Sequence, residues 1–438
     1  MPSATPTTVA AIAATPAETR ILATTVSTMP ITSSATTGGP AVAASTLATT
    51  TPMSSSIYTE QDAIDATPTA TTSSTMPSLM EHCWASGAGS LSTLRIDIPG
   101  RVVVSFDANQ SDAATFVATS DSQAVLDAIQ GDCDIMGSEP NTHEAKHHEL
   151  HLRLVDRDMN AEGSLLVHVT VNHPISTFST STETIVQNGV LAFQSDDDKV
   201  KISTMGKKTL WIESMATIKA SNISIEAMGS GEIFLTAPTA QLTNTLKLSS
   251  LGTGSIGFHA TSGTISATTI HSSSLGTGSI VLHGNVVATT LKSELLGQGS
   301  ISYYPTGKVD DSKVSILGSG NAYLGSIQTQ TTFVETMGLG TAHVQAVDTL
   351  NCSGFGSGSI KYFNVTPTHL PKEKRQDGWF PSFPAPKVEH TVVNTFDTLT
   401  VPPVPDLHEG SHVLIVVHSI GKSFWSDQNA KKVRRMVD

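Results

Sequence analysis

The residues best equipped for chemistry are His143-Glu144-Ala145-Lys146-His147. They match H-E-x-x-H, in which two histidines on one helix face hold zinc and the glutamate serves as general base. That chemistry needs a helix with an apolar face. Here Glu139-Pro140-Asn141-Thr142 precedes the motif, His148-Glu149 follows it, and a strictly alternating pattern starts at Leu150. The surroundings favour a loop or strand edge with solvated imidazoles. Incidental metal binding by His143, His147, His148 and His151 ranks second, and catalysis at His143, Glu144 and His147 last. No metal, no other cofactor and no catalytic residue is assigned.

Other chemistries find less support. Sugar-cleaving sites need clustered carboxylates, and an acidic sugar also needs basic partners. Asp196-Asp197-Asp198 stands before Lys199 and Lys201, and Asp310-Asp311 has no counterpart at the equivalent position of neighbouring repeats. Both read as solvated loop charge. No Ser-His-Asp or Cys-His arrangement can be argued. Cys83, Cys133 and Cys352 match no zinc spacing and form no disulfide framework, although Cys83 and Cys133 could pair. Asn109, Asn222, Asn351 and Asn364 begin Asn-x-Ser/Thr sequons, usable only in an exported chain.

Composition narrows the partners. The 438 residues carry 25 Lys and Arg against 38 Asp and Glu, a formal charge of −13. Nucleic acid is disfavoured as a partner, because its binding rests on neutralised phosphates. The basic cluster Lys431, Lys432, Arg434 and Arg435 reads as a solvated tail. No membrane span is evident. The longest strongly apolar run, Val413–Val417, has strand length, and the N-terminus makes a poor signal peptide, with its first basic residue at Arg20.

The elements that must position any site are strands. Residues 1–80 hold 32 Ser or Thr and five charged residues, with recurrent proline. Such a stretch cannot bury enough apolar surface to offset its ordering entropy, and it is expected to be disordered. From residue 81 to 200 alternation sets in: Leu94–Ile98, Leu150–Leu154 and Val167–Val171 each bury one face. This region reads as irregular β structure, forming the first coils of a longer repeat array. Residues 366–438, rich in proline, read as a linker or cap ending in a mobile tail.

Between them, over 201–365, one phrase recurs: MGSGEI, LGTGSI, LGTGSI, LGQGSI, LGSGNA, MGLGTA and FGSGSI. Its glycine pairs are Gly229 and Gly231, Gly252 and Gly254, Gly276 and Gly278, Gly297 and Gly299, Gly318 and Gly320, Gly338 and Gly340, and Gly356 and Gly358. The steps are 23, 24, 21, 21, 20 and 18 residues. No helix follows the glycines and no Gly-Lys-Ser/Thr ends them, so a phosphate loop is excluded. Uneven steps also exclude a six-residue acyltransferase repeat.

The register inside the unit is the stronger signal. Met228, Leu251, Leu275, Leu296, Leu317, Met337 and Phe355 precede the phrases; Ile233, Ile256, Ile280, Ile301, Ala322, Ala342 and Ile360 follow two residues after the second glycine. Stacking like on like makes apolar columns on either side of a glycine corner. That describes an all-β solenoid, with coils of about 18–24 residues stacked about 4.8 Å apart. The glycines are structural turn residues, so recognition falls to outward residues between corners, such as Val281, Ser302, Tyr323, His343 and Lys361.

At LGTGSI, LGQGSI and FGSGSI the sequence resembles the head GIN domain of putative auto-transporter adhesins, strongly from Gly229 onward and weakly back to Trp84. The resemblance implies a right-handed single-stranded parallel β-helix, no defined functional residues, and an extracellular or cell-surface adhesin. The resulting reading is a non-enzymatic, adhesin-like or structural rod binding an unknown surface glycan or protein. The alternatives are a β-helical polysaccharide lyase or hydrolase, and an intracellular scaffold in the cytoplasm.

Overall fold

Each Gly-x-Gly phrase turns the chain at the same edge of successive coils. Gly276 has φ +128°, a conformation that glycine alone adopts cheaply. A Cβ on Gly276 would stand 2.2 Å from the carbonyl oxygen of Gly252, and one on Gly278 would stand 2.0 Å from that of Gly254. Both obstacles are backbone, so no side-chain movement relieves them. The crowding oxygen is also the tie between coils: Gly252 O accepts from Thr277 N at 2.9 Å and Gly278 N at 3.2 Å. The same double bond joins the corners at Gly206, Gly229, Gly276, Gly297 and Gly318 to the coil above.

The computed structural model describes residues 79–87, 89–136, 147–155, 157–371 and 386–417, all within one compact unit. The Ser/Thr-rich stretch expected to be disordered lies outside them, apart from its last two residues. The chain begins with strands β1 (Met80–Ala85), β2 (Leu91–Asp97), β3 (Arg101–Phe106) and β4 (Ala114–Ser120). After one helical turn, α1 (Gln123–Leu126), come β5 (Ile129–Met136), β6 (His147–Leu154), β7 (Met159–Val171), β8 (Thr177–Thr180) and β9 (Glu183–Val186). The coils continue as β10 (Lys199–Gly206), β11 (Leu210–Glu213), β12 (Ile218–Gly229), β13 (Ile233–Ala237) and β14 (Ala240–Gly252). From there nearly the whole turn is extended: β15 (Ile256–Gly276), β16 (Ile280–Gly297), β17 (Ser300–Gly318), β18 (Asn321–Gly338) and β19 (Thr341–Phe355). The remaining strands are β20 (Ser359–Phe363), β21 (Lys387–Thr391) and β22 (Ser411–Val417).

The pairing makes this a β-solenoid of about seven turns. β8 pairs in parallel with β10, β10 with β12 and β12 with β14, while β9, β11 and β13 form a second parallel ladder. Both ladders run on through β15 to β19. The earlier strands join them in parallel, β2 against β8 and β3 against β9. Among the described residues antiparallel pairs lie only at that end, β1 with β4, β4 with β7, β5 with β6 and β22 with β7.

The core is a set of stacked columns. Ile233, Ile256, Ile280, Ile301, Ala322, Ala342 and Ile360 are paired rung on rung and almost wholly buried. Each full isoleucine burial contributes about 1.5–3 kcal/mol. The column on the other side of the corner differs from expectation. Leu251, Leu275, Leu296, Leu317 and Phe355 are 39–43% exposed. Period-two alternation explains it: the preceding residues, Ser250, Ser274, Leu295 and Ile316 among them, are the buried ones. Two of these serines serve the corner directly, Ser250 Oγ donating to Gly254 O and Ser274 Oγ to Gly278 O at 2.6 Å. The hydroxyls of Thr204, Ser312 and Thr336 are buried without a partner among the described residues, whereas deeper in the core Tyr303 Oη lies 2.9 Å from Ser293 Oγ. Burial, opposed by that bond, pushes the Tyr303 phenol up to about 12.

Gly276→Ala and Gly278→Val should each lower stability by about 1–3 kcal/mol or more through backbone overpacking. Thr277→Val between them, on an exposed side chain, should change it by less than about 0.5 kcal/mol. Thermal and denaturant midpoints of the three variants provide the check, and an unchanged midpoint for Gly278→Val would contradict the corner geometry.

Candidate functional site

One outward face of the solenoid is occupied by the chain's own C-terminal segment. After β21 the backbone leaves the last coils and returns along the stack to β22, which pairs with β7 near the first coils. Its contacts are ordered along the stack. Asn394 Nδ2 donates to Ser326 Oγ at 2.9 Å, Asp397 N to Ser302 Oγ at 2.9 Å, and Leu399 N to Tyr304 Oη. Trp211 Nε1 donates to Pro402 O at 3.1 Å, and Arg101, paired with Glu183, donates to the carbonyls of Asp406 and Glu409. Leu399 and Leu407 pack on a small cluster of Val103, Leu166, Ile185, Trp211 and Phe234. A cavity of about 290 Å³ remains between Trp211 and Phe234 on the solenoid and Val401, Val404 and Leu407 on the strap.

This strap corrects the expected recognition surface. Val281, Ser302 and His343 point outward, as alternation requires, yet are 6%, 0% and 7% exposed. Tyr323 and Lys361 are half-buried. The segment's proline-rich, irregular sequence carries no period, so nothing in it announces a docking register. The strand at Ser411–Val417 is correspondingly placed beside β7, not beside the last coil.

Histidines line the covered face. His259 stacks on His283 at 4.5 Å, His283 on Tyr304 at 4.6 Å, and Tyr304 on strap residue Phe396 at 4.7 Å. His168 lies 6.4 Å from strap residue His408. Burial holds His168, His259 and His343 below the ordinary imidazole value, and the neighbouring His408, His283 and Lys361 push in the same direction. These rings therefore resist protonation in the folded protein more than free imidazoles do.

The face on the other side of the Gly-x-Gly corner is open. It presents three outward columns. Thr245, Thr269 and Thr290 occupy successive rungs of the first. Lys247, His271, Lys292 and Lys313 occupy successive rungs of the second. Ser249, Ser273, Glu294 and Ser315 form the third, in which the serines are buried and Glu294 is half-buried. Toward the first coils this face deepens into a cleft of about 400 Å³, lined by Lys199, Lys201, Lys247, Asn222, Thr177, Ser224 and Thr245. Glu226 braces it, 3.6 Å from both Lys201 and Lys247.

The described residues among those singled out for chemistry lie apart from one another. His143 and Glu144 lie outside the described residues. His147 opens strand β6 opposite Met136, so the helix required by H-E-x-x-H does not run through it. Among the described residues no group of three or more His, Cys, Asp or Glu is placed to hold a metal ion. Asp198 closes its own loop, accepting from Ser195 N at 2.9 Å, and Asp310 and Asp311 are exposed on β17. Cys83 carries a free, exposed thiol, so the pairing with Cys133 is not made. Asn109, Asn351 and Asn364 are exposed, whereas Asn222 is half-buried in β12, in the cleft. The lysine cleft had one sequence signal, the spacing of Lys201 and Lys247 at the same register position of two coils. No helix among the described residues is long and apolar enough to cross a membrane, which leaves strand-based crossing unaddressed.

Residues 241–365 match the family model described as putative auto-transporter adhesin, head GIN domain. The resemblance carried by the Gly-x-Gly phrases thus holds over that stretch. No curated protein matches the chain. Similar solved structures include a putative adhesin and a putative lipid binding protein, both from Parabacteroides distasonis. They are 12% and 11% identical, cover 72% of this chain and 98% and 96% of their own, and each gives a TM-score of 0.34. A putative adhesin from Parabacteroides merdae is 11% identical over 72% of this chain and 96% of its own, with a TM-score of 0.30. These agreements are too loose to transfer an activity or a partner.

The histidine face sets a pH dependence. The lowered folded-state pKa values of His168, His259 and His343 mean that the unfolded chain binds more protons once pH falls below about 6.5. Stability therefore decreases on acidification through that point and levels off below the folded-state values. A thermal midpoint series from pH 7.5 to 5 should fall, and the triple variant His168→Asn, His259→Asn, His343→Asn should fall less steeply. An identical slope in both proteins would contradict this account.

Proposed function

We propose that the protein is a non-enzymatic, adhesin-like rod that acts at the cell surface, binding a surface glycan or protein through the open face of its solenoid. The observation that carries this reading is the combination of the family match over 241–365 with the columns of that face. A repeated column offers the same side chain every coil, about 4.8 Å apart. It suits an extended, periodic ligand held by many weak contacts, whose summed effect exceeds any one of them.

The polysaccharide-cleaving alternative draws less support. Cleavage requires two carboxylates, or a carboxylate and a base, aimed at one bond. On the open face Glu226, Glu294 and Glu335 stand on separate rungs: Glu226 braces lysines and Glu294 lies 3.4 Å from His271. The strap further supports a binding role, because it covers the aromatic face and leaves the polar face for a partner.

Beads coated with the full chain should adhere to cells or cell-wall material. Thr269→Glu with Thr290→Glu should reduce adhesion several-fold while leaving the thermal midpoint within a few degrees. Val392→Arg, at an exposed position of the strap, should leave adhesion unchanged. Absent adhesion, or release of reducing sugar ends from the bound polysaccharide, would overturn the reading.

A further inference from the structure

We infer that the cleft at the first coils is an anion seat for an acidic glycan whose chain runs along the solenoid axis; this rests on the adhesin reading and specifies its ligand. Three lysines, Lys199, Lys201 and Lys247, line one cleft of about 400 Å³. One carboxylate, Glu226, faces them, 3.6 Å from each of two lysines. At 55% and 46% exposure Lys201 and Lys247 keep access to solvent, so the pairing with Glu226 orients them at little cost. The surplus positive charge lies in the cleft, although the whole chain is at −13. A sugar carboxylate or sulfate ester seated there would gain charge-assisted hydrogen bonds.

The cleft also carries neutral polar groups suited to a sugar. Asn222, Thr177, Ser224 and Thr245 line the same space and offer both donors and acceptors. Beyond it the face continues in one direction. Lys292 and Lys313 continue the lysine column past His271 on the following coils, with Thr269 and Thr290 beside it, while Ser273 and Ser315 on its other side are buried. The coil spacing of about 4.8 Å is close to the advance of one pyranose unit along an extended glycan. Successive sugars can therefore meet successive rungs, with the threonine column flanking the lysine one. Glu294 and Asp311 interrupt the charge on the farther rungs, so the anionic group is held at the cleft and the remaining contacts are to hydroxyls.

The seat also bears on Asn222. Its side chain lines the cleft and its strand is paired on both sides, with Lys199 and Thr245 as neighbours. A glycan attached there would fill the space that the anionic sugar needs. Ligand binding and modification of Asn222 are mutually exclusive.

The test compares the full chain with the triple variant Lys199→Gln, Lys201→Gln, Lys247→Gln, and with Lys308→Gln, an exposed lysine of β17 outside the lysine column. Probes are polygalacturonate, chondroitin sulfate, neutral dextran and vesicles containing phosphatidylglycerol, titrated at two salt concentrations. One or both anionic glycans should bind, weaken with salt as screened charges do, and lose roughly tenfold affinity or more in the triple variant. Polygalacturonate alone would assign a carboxylate, chondroitin sulfate alone a sulfate ester. Lys308→Gln should bind as the parent does. Equal binding of dextran, tighter binding of the vesicles, unchanged binding by the triple variant, or an N-glycan on Asn222 of the native protein would each overturn the inference. Bead adhesion is measured in parallel. Adhesion retained by the triple variant overturns the seat and keeps the adhesin reading; anionic-glycan binding without adhesion does the reverse.

Discussion

The structure depends on one close approach, the backbone of each Gly-x-Gly corner resting on the corner below. The carbonyl oxygen of Gly252 accepts from two amides of the next coil and leaves no space for a Cβ on Gly276. A parallel ladder is otherwise tolerant of slips, because each rung offers the same bonds. Here a slip by one residue would carry a side chain into a backbone oxygen. The corner therefore acts as a register pin, repeated from Gly206 to Gly358. With register pinned at one edge, alternation assigns every following side chain to the core or to solvent. The isoleucine column and the lysine column are two consequences of the same constraint.

A stack held this way leaves unpaired strands at its two ends, and exposed edges invite pairing with other chains. The first coils are bordered by antiparallel strands: β1 on β4, β5 on β6 and β22 on β7. At the far end β21 adds in parallel to β20. The strap joins the two ends, running from β21 to β22 along the outer face. Its hold is mixed, apolar at Leu399 and Leu407 and polar at Ser302, Tyr304 and Trp211. Gly257 shows how closely solenoid and strap fit. A Cβ there would lie 2.3 Å from Leu399 Cδ1 and 2.9 Å from the Phe234 ring. Glycine in an outward strand position, which looks like a gap in the pattern, is the socket for a leucine 142 positions away in sequence.

The solenoid was legible because its signals are local. Glycines recur at fixed offsets, and Ile256, Ile280 and Ile301 hold the same place in each phrase. What escaped came from contacts the period does not encode. Leu251, Leu275 and Leu296 are apolar and periodic, which resembles a core column, but alternation counted from buried Ser250 and Ser274 puts them outside. Small serines pass for surface residues in a sequence, and here they are the corner's internal hydrogen-bond donors. The strap was illegible for a different reason. Its partners lie in many coils, its own sequence has no period, and a proline-rich run reads equally well as a free linker. The lysine cleft was half legible: Lys201 and Lys247 share a register position and Lys199 stands two residues before Lys201, but Asn222 meets Lys199 only through the pairing of β10 with β12.

The division of the surface arises from these facts. A solenoid side has two outward neighbours for every corner, and this protein treats them in opposite ways. On the side after the glycines the outward residues include Trp211, Phe234, His259, His283 and Tyr304, large groups whose exposure would cost apolar area. The strap buries them and is in turn fixed by them. On the side before the glycines the outward residues are Thr, Lys and His, which keep contact with water, and small serines that the fold itself buries, so no cover is needed. Cover on the first side therefore contributes to stability, whereas cover on the second would add little to it. A face that folding leaves bare, polar and periodic is the one on which a partner can dock without first displacing part of the protein.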